Sequence, residues 1–356
     1  MKILLVHPAA NYATAEVHDG LAKGLEMHGQ EVIRFSLDGR MNVMAQYLHF
    51  LHAIKEAAPP SKEEILYQTS VQILERALRF NVDLVLVVAG MSFHPDVVEL
   101  LHRAHLPIAI LCTESPYDDA PQLKMARNAY ACWTNERNSL PAFKEVQPYT
   151  FYWQHAFDPE RHNTKPPTIE MPRHDVVFVG TGFRERVEFL EQVDWTGIDL
   201  GLYGVWELLD DDSPLRQCVQ SDAIPNEWAI AAYKAAKMSF SLHRRSVGYG
   251  PDALLIDEGA ASSLGPRDYE LAASGVFFIS DDRAEAEEVF GGALPIFRDP
   301  TEFGDMMRWW LGHDKEREER ARKLCEAVQG NTFENRARDL IDNLIFVDES
   351  RRHENE

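Results

Sequence analysis

The chain has 356 residues, 45% of them hydrophobic and 26% charged, which suits two globular domains of ordinary size. Its formal charge is −21. That argues against a nucleic-acid partner, which calls for a basic face to displace counterions, and against an anionic membrane surface. Cys112, Cys132, Cys218 and Cys325 fall in no metal-ligand spacing and read as reduced, mostly buried thiols of a reducing compartment.

The apolar start, residues 3–6, is cut short by His7 and Pro8. It is too short for a signal peptide and suits a buried first strand. No apolar run approaches the ~20 residues of a membrane span, so a cytoplasmic protein is expected. Further strands are expected over 32–35, 84–88, 108–112 and 131–133. The helix after the first strand shows Val17, Leu21 and Leu25 at spacing four and ends near Gly29. Two more helices are expected around 47–57 and 65–79, with Ser61 capping the second and Glu64 as its capping-box partner. Strands alternating with helices imply βαβ units and a parallel sheet.

Residues 158–173 are proline-rich and without periodicity, as a linker would be. The pattern then restarts. Strands are expected over 175–180, 198–203, 238–242, 276–280 and 294–297, with helices at 187–193, 227–236 and 266–273. The expected organisation is an N-terminal Rossmann-like domain, 1–157, a linker, 158–173, and a C-terminal Rossmann-like domain, 174–330. A helix over 331–347 would cross back, and 348–356 would be a frayed tail. The fold class is α/β, two doubly wound domains facing across a cleft, where ligands bind beyond the strand C-termini.

Three segments of the second half could carry chemistry. Gly180-Thr181-Gly182 leads from a strand to a helix beginning near Arg184. Such a turn is either a phosphate loop, with Arg184 or Arg186 adding a contact, or only a tight turn. It is neither a Walker motif nor a full G-x-G-x-x-G. His243-Arg244 follows another strand and could meet a diphosphate or be a solvated basic turn. The aperiodic stretch 246–265 that follows, with four glycines, reads as a cover over a ligand. Pro266 opens a helix that carries Arg267, Tyr269 and Glu270 and ends in Ala272-Ala273-Ser274-Gly275. Glu270, one turn in, could accept hydrogen bonds from a ribose diol or be a surface carboxylate.

The blocks "DVVFVGTGFRERVEFLEQVDW", "IDLGLYG", "NEWAIAAYKAAKMSFSLHRRS" and "LGPRDYELAASGVFFISDDRAEAEEVFG", with "CTESPYDDAPQ", "WQHAFDPERH" and "NTFENRARDLIDNL", resemble the CgeB-type (spore-maturation) glycosyltransferase-like family, of GT-B fold. The resemblance implies that Glu270 binds the donor ribose. It places Gly180, Thr181, Gly182, His243 and Arg244 near the diphosphate, and Ile224 and Pro225 near the base. The donor would be a nucleotide-diphosphate sugar, used without a metal or a cofactor. Many retaining GT-B enzymes carry two glutamates separated by seven residues. Here the partner position is Ser262, which leaves the anomeric outcome open.

On the acceptor side, His7, Asn11, His18, His94, Glu114, Tyr117, Asp118 and Asp119 all follow strands of the first half. Glu114 or Asp118 fits a general base for an acceptor hydroxyl, with His94 next. Either carboxylate could instead cap the helix that follows. The leading expectation is a metal-independent glycosyltransferase, a hexosyltransferase in type, with an acceptor of unread chemistry. Open beside it are a nucleotide-sugar epimerase on the same fold and an inactive structural or assembly protein.

Overall fold

Runs that are apolar on both faces become the central strands of two parallel sheets, because a parallel strand covered by helices on either side meets no water. A computed structural model describes residues 1–7, 13–37, 39–89, 93–257 and 259–354. Asn11 and residues 90–92 lie outside them. The chain divides into two units, Met1–Gln154 with Phe333–Glu356, and His155–Thr332. Residues 158–173, expected as a linker, lie within the second unit.

In the first unit the strands are β1 (Lys2–His7), β2 (Glu31–Ser36), β3 (Leu84–Val88), β4 (Ile108–Cys112), β5 (Ala131–Thr134) and β6 (Thr150–Tyr152), ordered β2-β1-β3-β4-β5-β6. Every neighbouring pair is parallel. The order reverses between β1 and β3. Helices α1 (Ala13–Met27), α2 (Arg40–Ile54), α3 (Lys62–Ser70), α4 (Gln72–Phe80), α5 (Pro95–Arg103), α6 (Asp119–Ala126) and α7 (Leu140–Val146) connect the strands. The single helix expected over 65–79 is two, parted at Val71. The Ser61 cap is present: its hydroxyl accepts the Glu64 N–H at 3.0 Å.

The second unit holds β7 (Val176–Val179), β8 (Leu200–Tyr203), β9 (Val219–Ser221), β10 (Met238–Ser241), β13 (Phe278–Asp281) and β14 (Ile296–Phe297), again all parallel. Between β10 and β13 stands a separate antiparallel hairpin, β11 (Ser246–Val247) and β12 (Leu254–Leu255). The stretch expected as an aperiodic cover thus has an ordered core. The helices are α8 (Arg184–Leu190), α9 (Asn226–Ala235), α10 (Pro266–Ala273), α11 (Glu285–Phe290), α12 (Pro300–Leu311) and α13 (Asp314–Ala327). The sheet order is β14-β13-β10-β7-β8-β9. It reverses between β7 and β10, the switch point at which doubly wound sheets open a crevice beyond their strand C-termini.

The last helix, α14 (Phe333–Glu354), belongs to the first unit. It packs on α1 through small residues: a Cβ at Gly24 would come within 2.5 Å of the Phe333 carbonyl oxygen and 2.9 Å of the Ala337 Cβ. The expected frayed tail is helical to Glu354. It is held by an Asp348–Tyr130 hydrogen bond and by Arg351, which donates to the Tyr130 carbonyl at 3.0 Å and lies over the Tyr130 and Tyr149 rings. All four cysteines are free thiols, two of them buried. Among the described residues no helix is long and apolar enough to cross a membrane.

Candidate functional site

The end of β10 carries His243, and both of its ring nitrogens are occupied. Nδ1 lies 2.6 Å from Asp281 Oδ1 at the end of β13, and Nε2 lies 2.8 Å from Asp268 Oδ2 in the first turn of α10. The His243 backbone N–H also donates to Asp281 Oδ1, at 3.1 Å. Asp268 Oδ2 further accepts the Gly265 N–H at 2.8 Å, fixing the start of α10. Burial opposes charge on this ring, but Asp281 and Asp268 outweigh it and raise the imidazole to about 9. For Asp281, burial pushes upward, while His243 and Arg283 hold the carboxyl below its ordinary range. At neutral pH the group is therefore an imidazolium clamped between two carboxylates. Of His243, expected near a diphosphate, both ring nitrogens are thus engaged by carboxylates. Its place is to join three elements at the switch-point end of the sheet.

α10 presents Glu270 one turn beyond that clamp. Glu270 is 9% exposed. Its Oε2 lies 3.3 Å from Arg267 Nη1, and its Oε1 lies 4.0 Å from His162 Nε2. The Arg267 guanidinium also covers the Tyr233 ring at 5.3 Å. Asp158 holds His162 through its backbone, with N and O at 3.3 and 3.2 Å from Nδ1, and Asn226 Nδ2 approaches Nε2 at 3.4 Å. Burial lowers the His162 pKa, with Glu270 opposing. His155 is buried too, and burial pushes it down to about 4 against the pull of Glu270 and Asp268. Two neutral imidazoles thus stand near Glu270. Sequence reasoning missed both, with Asp158 and Asp281. The signal was present in "WQHAFDPERH", where buried histidines sit in a stretch with no period. Tyr269 is a correction of another kind: it is 0% exposed and belongs to the core.

The glycine turn after β7 is spent on the protein itself. The Gly180 N–H donates to Tyr203 O at 2.9 Å and the Gly182 N–H to Val205 O at 2.7 Å, so neither amide is free to hold a phosphate. A Cβ at Gly182 would lie 2.3 Å from the Trp206 ring. Of the two readings of this turn, the tight turn holds for these amides. Arg186 ties Thr181 O (2.9 Å) to Leu242 O (2.7 Å), joining the ends of β7 and β10. Its guanidinium covers Phe178 and Phe183, and that of Arg244 lies 5.4 Å from the Phe183 centroid. Arg184 turns to the hairpin, donating to Pro251 O at 3.2 Å, and pairs with Glu188. Glu185 secures the hairpin base, accepting the N–H groups of Arg245 (2.6 Å) and Ser246 (2.9 Å) and the Ser246 hydroxyl. Burial pushes the Glu185 carboxyl up, but these donors carry it below its ordinary range. Ile224 is partly buried against the core, and Pro225 is exposed at the start of α9.

The first unit's candidates are placed differently. His94 caps α5, its Nδ1 accepting the Asp96 N–H at 3.2 Å, while Nε2 faces Glu63 at 3.7 Å. That gives it a helix-capping task. Asp118 stands at the α6 N-cap, yet its side chain makes no capping hydrogen bond. Glu114 and Asp118 are half-buried on one turn, the Asp118 N–H donating to Glu114 O at 3.0 Å. His18 is buried between Asp19 (3.1 Å) and the Leu5 carbonyl (3.4 Å), with His7 edge-on to its ring.

Residues 184–342 match the model of a family described as glycosyl transferase-like. That span runs from α8 into α14 and includes Arg244, Arg267 and Glu270. No curated protein matches the chain. Among solved structures, the chain is similar to sucrose-phosphate synthase from Thermosynechococcus elongatus (13% identity, 96% of this chain and 97% of that one, TM-score 0.64). It is similar also to an alpha-glucosyltransferase in complex with UDP and a 13-mer DNA containing an HMU base (10% identity, 97% and 99%, TM-score 0.65). A third is a protein described as a UDP-N-acetylglucosamine 2-epimerase from Listeria monocytogenes (11% identity, 96% and 94%, TM-score 0.58). These likenesses establish the fold, two parallel-sheet α/β units of the GT-B type.

Proposed function

We propose that the chain transfers a glycosyl group from a nucleoside-diphosphate sugar to an acceptor hydroxyl, with the donor held by the second unit. The observation that carries this is the buried Glu270, paired with Arg267 and backed by neutral His162, on the helix beside a switch point of the parallel sheet. A carboxylate so placed suits a ribose diol. Arg244 and Arg267 suit the charge that grows on a departing diphosphate. The glycosyl transferase-like match over 184–342 supports the same reading, and the quoted blocks favour the CgeB-type branch. The exposed Pro225 and its neighbour Ile224 would border the base. Glu114 or Asp118 would take the acceptor's proton, and neither a cofactor nor a metal is required. Nucleic acid is disfavoured as acceptor by the charge of −21, although one similar protein was solved with DNA.

The test is donor-dependent release of nucleoside diphosphate from a panel of nucleotide sugars, with and without acceptor pools and with and without a chelator. Release that needs an acceptor and survives the chelator is expected. Sugar-nucleotide conversion without acceptor would favour the epimerase reading, which the similarity to the Listeria protein keeps in view. Neither activity, together with no nucleotide binding, would leave an assembly protein. In the active case, the Glu114→Gln or Asp118→Asn variant should lose ~10²–10⁴-fold in turnover with donor binding intact.

A further inference from the structure

α2 turns an apolar stripe outward. Val43, Tyr47, Phe50 and Ile54 are 70, 54, 64 and 64% exposed. Their spacing of four, three and four sets them on one face of the helix. Of the described side chains of this 15-residue helix, only Leu48 is buried. The stripe is uncharged: no Asp or Glu occurs between Asp38 and Glu56. Arg40 is turned inward, with Nε on Ser36 O at 2.7 Å and its guanidinium over Phe35. Beside Val43 lies a groove of about 510 Å³, lined by Ser36, Gly39, Arg40, Val43, Met44 and Gln72.

We infer that this face binds a second copy of the chain, α2 against α2, antiparallel about a two-fold axis. Four side chains of this size and exposure offer roughly 400 Å² of apolar surface per copy. That is about half of the ~800 Å² each partner gives to a stable interface, and it is the apolar half. Exposed Asn42, Gln46 and His49 adjoin it as a polar rim. A two-fold contact brings each patch onto itself. It sets Val43 and its groove opposite Ile54 of the second copy, and Tyr47 opposite Phe50. Charge points the same way. Two chains of −21 repel over most of their surfaces, and an acid-free patch is where they can approach. An anionic bilayer fits less well, because an interfacial helix carries Lys and Arg along its polar face. Here the only such residues from 40 to 55 are Arg40 and Lys55, at the two ends.

Sedimentation of the full chain from about 1 to 100 µM tests this, with Phe50→Glu and Tyr47→Glu as variants. Both residues are exposed, so unchanged circular dichroism and melting will show that the fold is kept. The expected result is a dimer of the wild-type chain whose dissociation constant rises at least 100-fold in each variant. A wild-type monomer throughout the range would overturn the inference. So would a dimer indifferent to both charges. Flotation of a monomeric wild type with phosphatidylglycerol-containing vesicles, lost in Phe50→Glu, would replace it with membrane binding.

Discussion

His243 and His155 both feel the Asp268 carboxylate yet are shifted in opposite directions. His243 meets two carboxylates directly and rises to about 9. His155 is dominated by burial and falls to about 4. Their effects on stability therefore have opposite signs. A raised imidazole adds stability that is complete below the unfolded value near 6.5 and is lost as pH climbs through about 9. A lowered one costs stability as pH falls from 6.5 toward 4, because only the unfolded chain takes up the proton. Urea melts across pH should show His155→Asn flattening the acid limb and leaving the alkaline one. His243→Gln should instead cost roughly 3–5 kcal/mol near pH 6.5, the range for removing one partner of a buried ion pair. That cost should shrink above pH 9. Parallel wild-type and variant curves would show that neither ring titrates as its surroundings imply.

At the scale of elements, two helices meet where the sequence has no side chain to give. Gly24 of α1 lies against the Phe333 carbonyl and Ala337 of α14. Gly24→Ala gains about 1 kcal/mol of helix propensity but forces a backbone shift of the kind that typically costs ~1–3 kcal/mol. A net loss is expected in a thermal melt. Gly330→Ala, with nothing within 4 Å of its Cβ, should be near neutral. Equal melting of the two variants would mean that the α1–α14 contact is looser than its distances. What could be read from sequence follows the same physics. The runs at β3, β4 and β7 are apolar throughout because they are buried on both faces, and the sequence shows them directly. The edge strands β6 and β9 were not legible: each has three residues, and β9 is largely exposed. Nor was the start of the second unit at His155, since the chain from there to β7 is buried in places without forming a periodic element. Glu270 stood out by its place one turn into a helix, with a surface carboxylate as the other reading, and the resemblance then tied it to the donor ribose. The Asp281–His243–Asp268 clamp joins residues 38 and 25 positions apart, and such pairings leave no local pattern.

For the whole molecule, the account rests on one claim, that the second unit binds a nucleoside diphosphate through Glu270 and Arg244. Isothermal titration calorimetry of the full chain tests it most directly, with nucleosides and nucleoside diphosphates titrated into wild type, Glu270→Ala and Arg244→Ala. Loss of charge-assisted hydrogen bonds from Glu270, roughly 1.5–3 kcal/mol each, should weaken both ligand types about 10- to 100-fold. Arg244→Ala should weaken the diphosphate far more than the nucleoside, since the phosphates alone engage the guanidinium. Tight diphosphate binding with this split is the result the account predicts. No binding of any nucleoside diphosphate, or affinity unchanged in both folded variants, would contradict it.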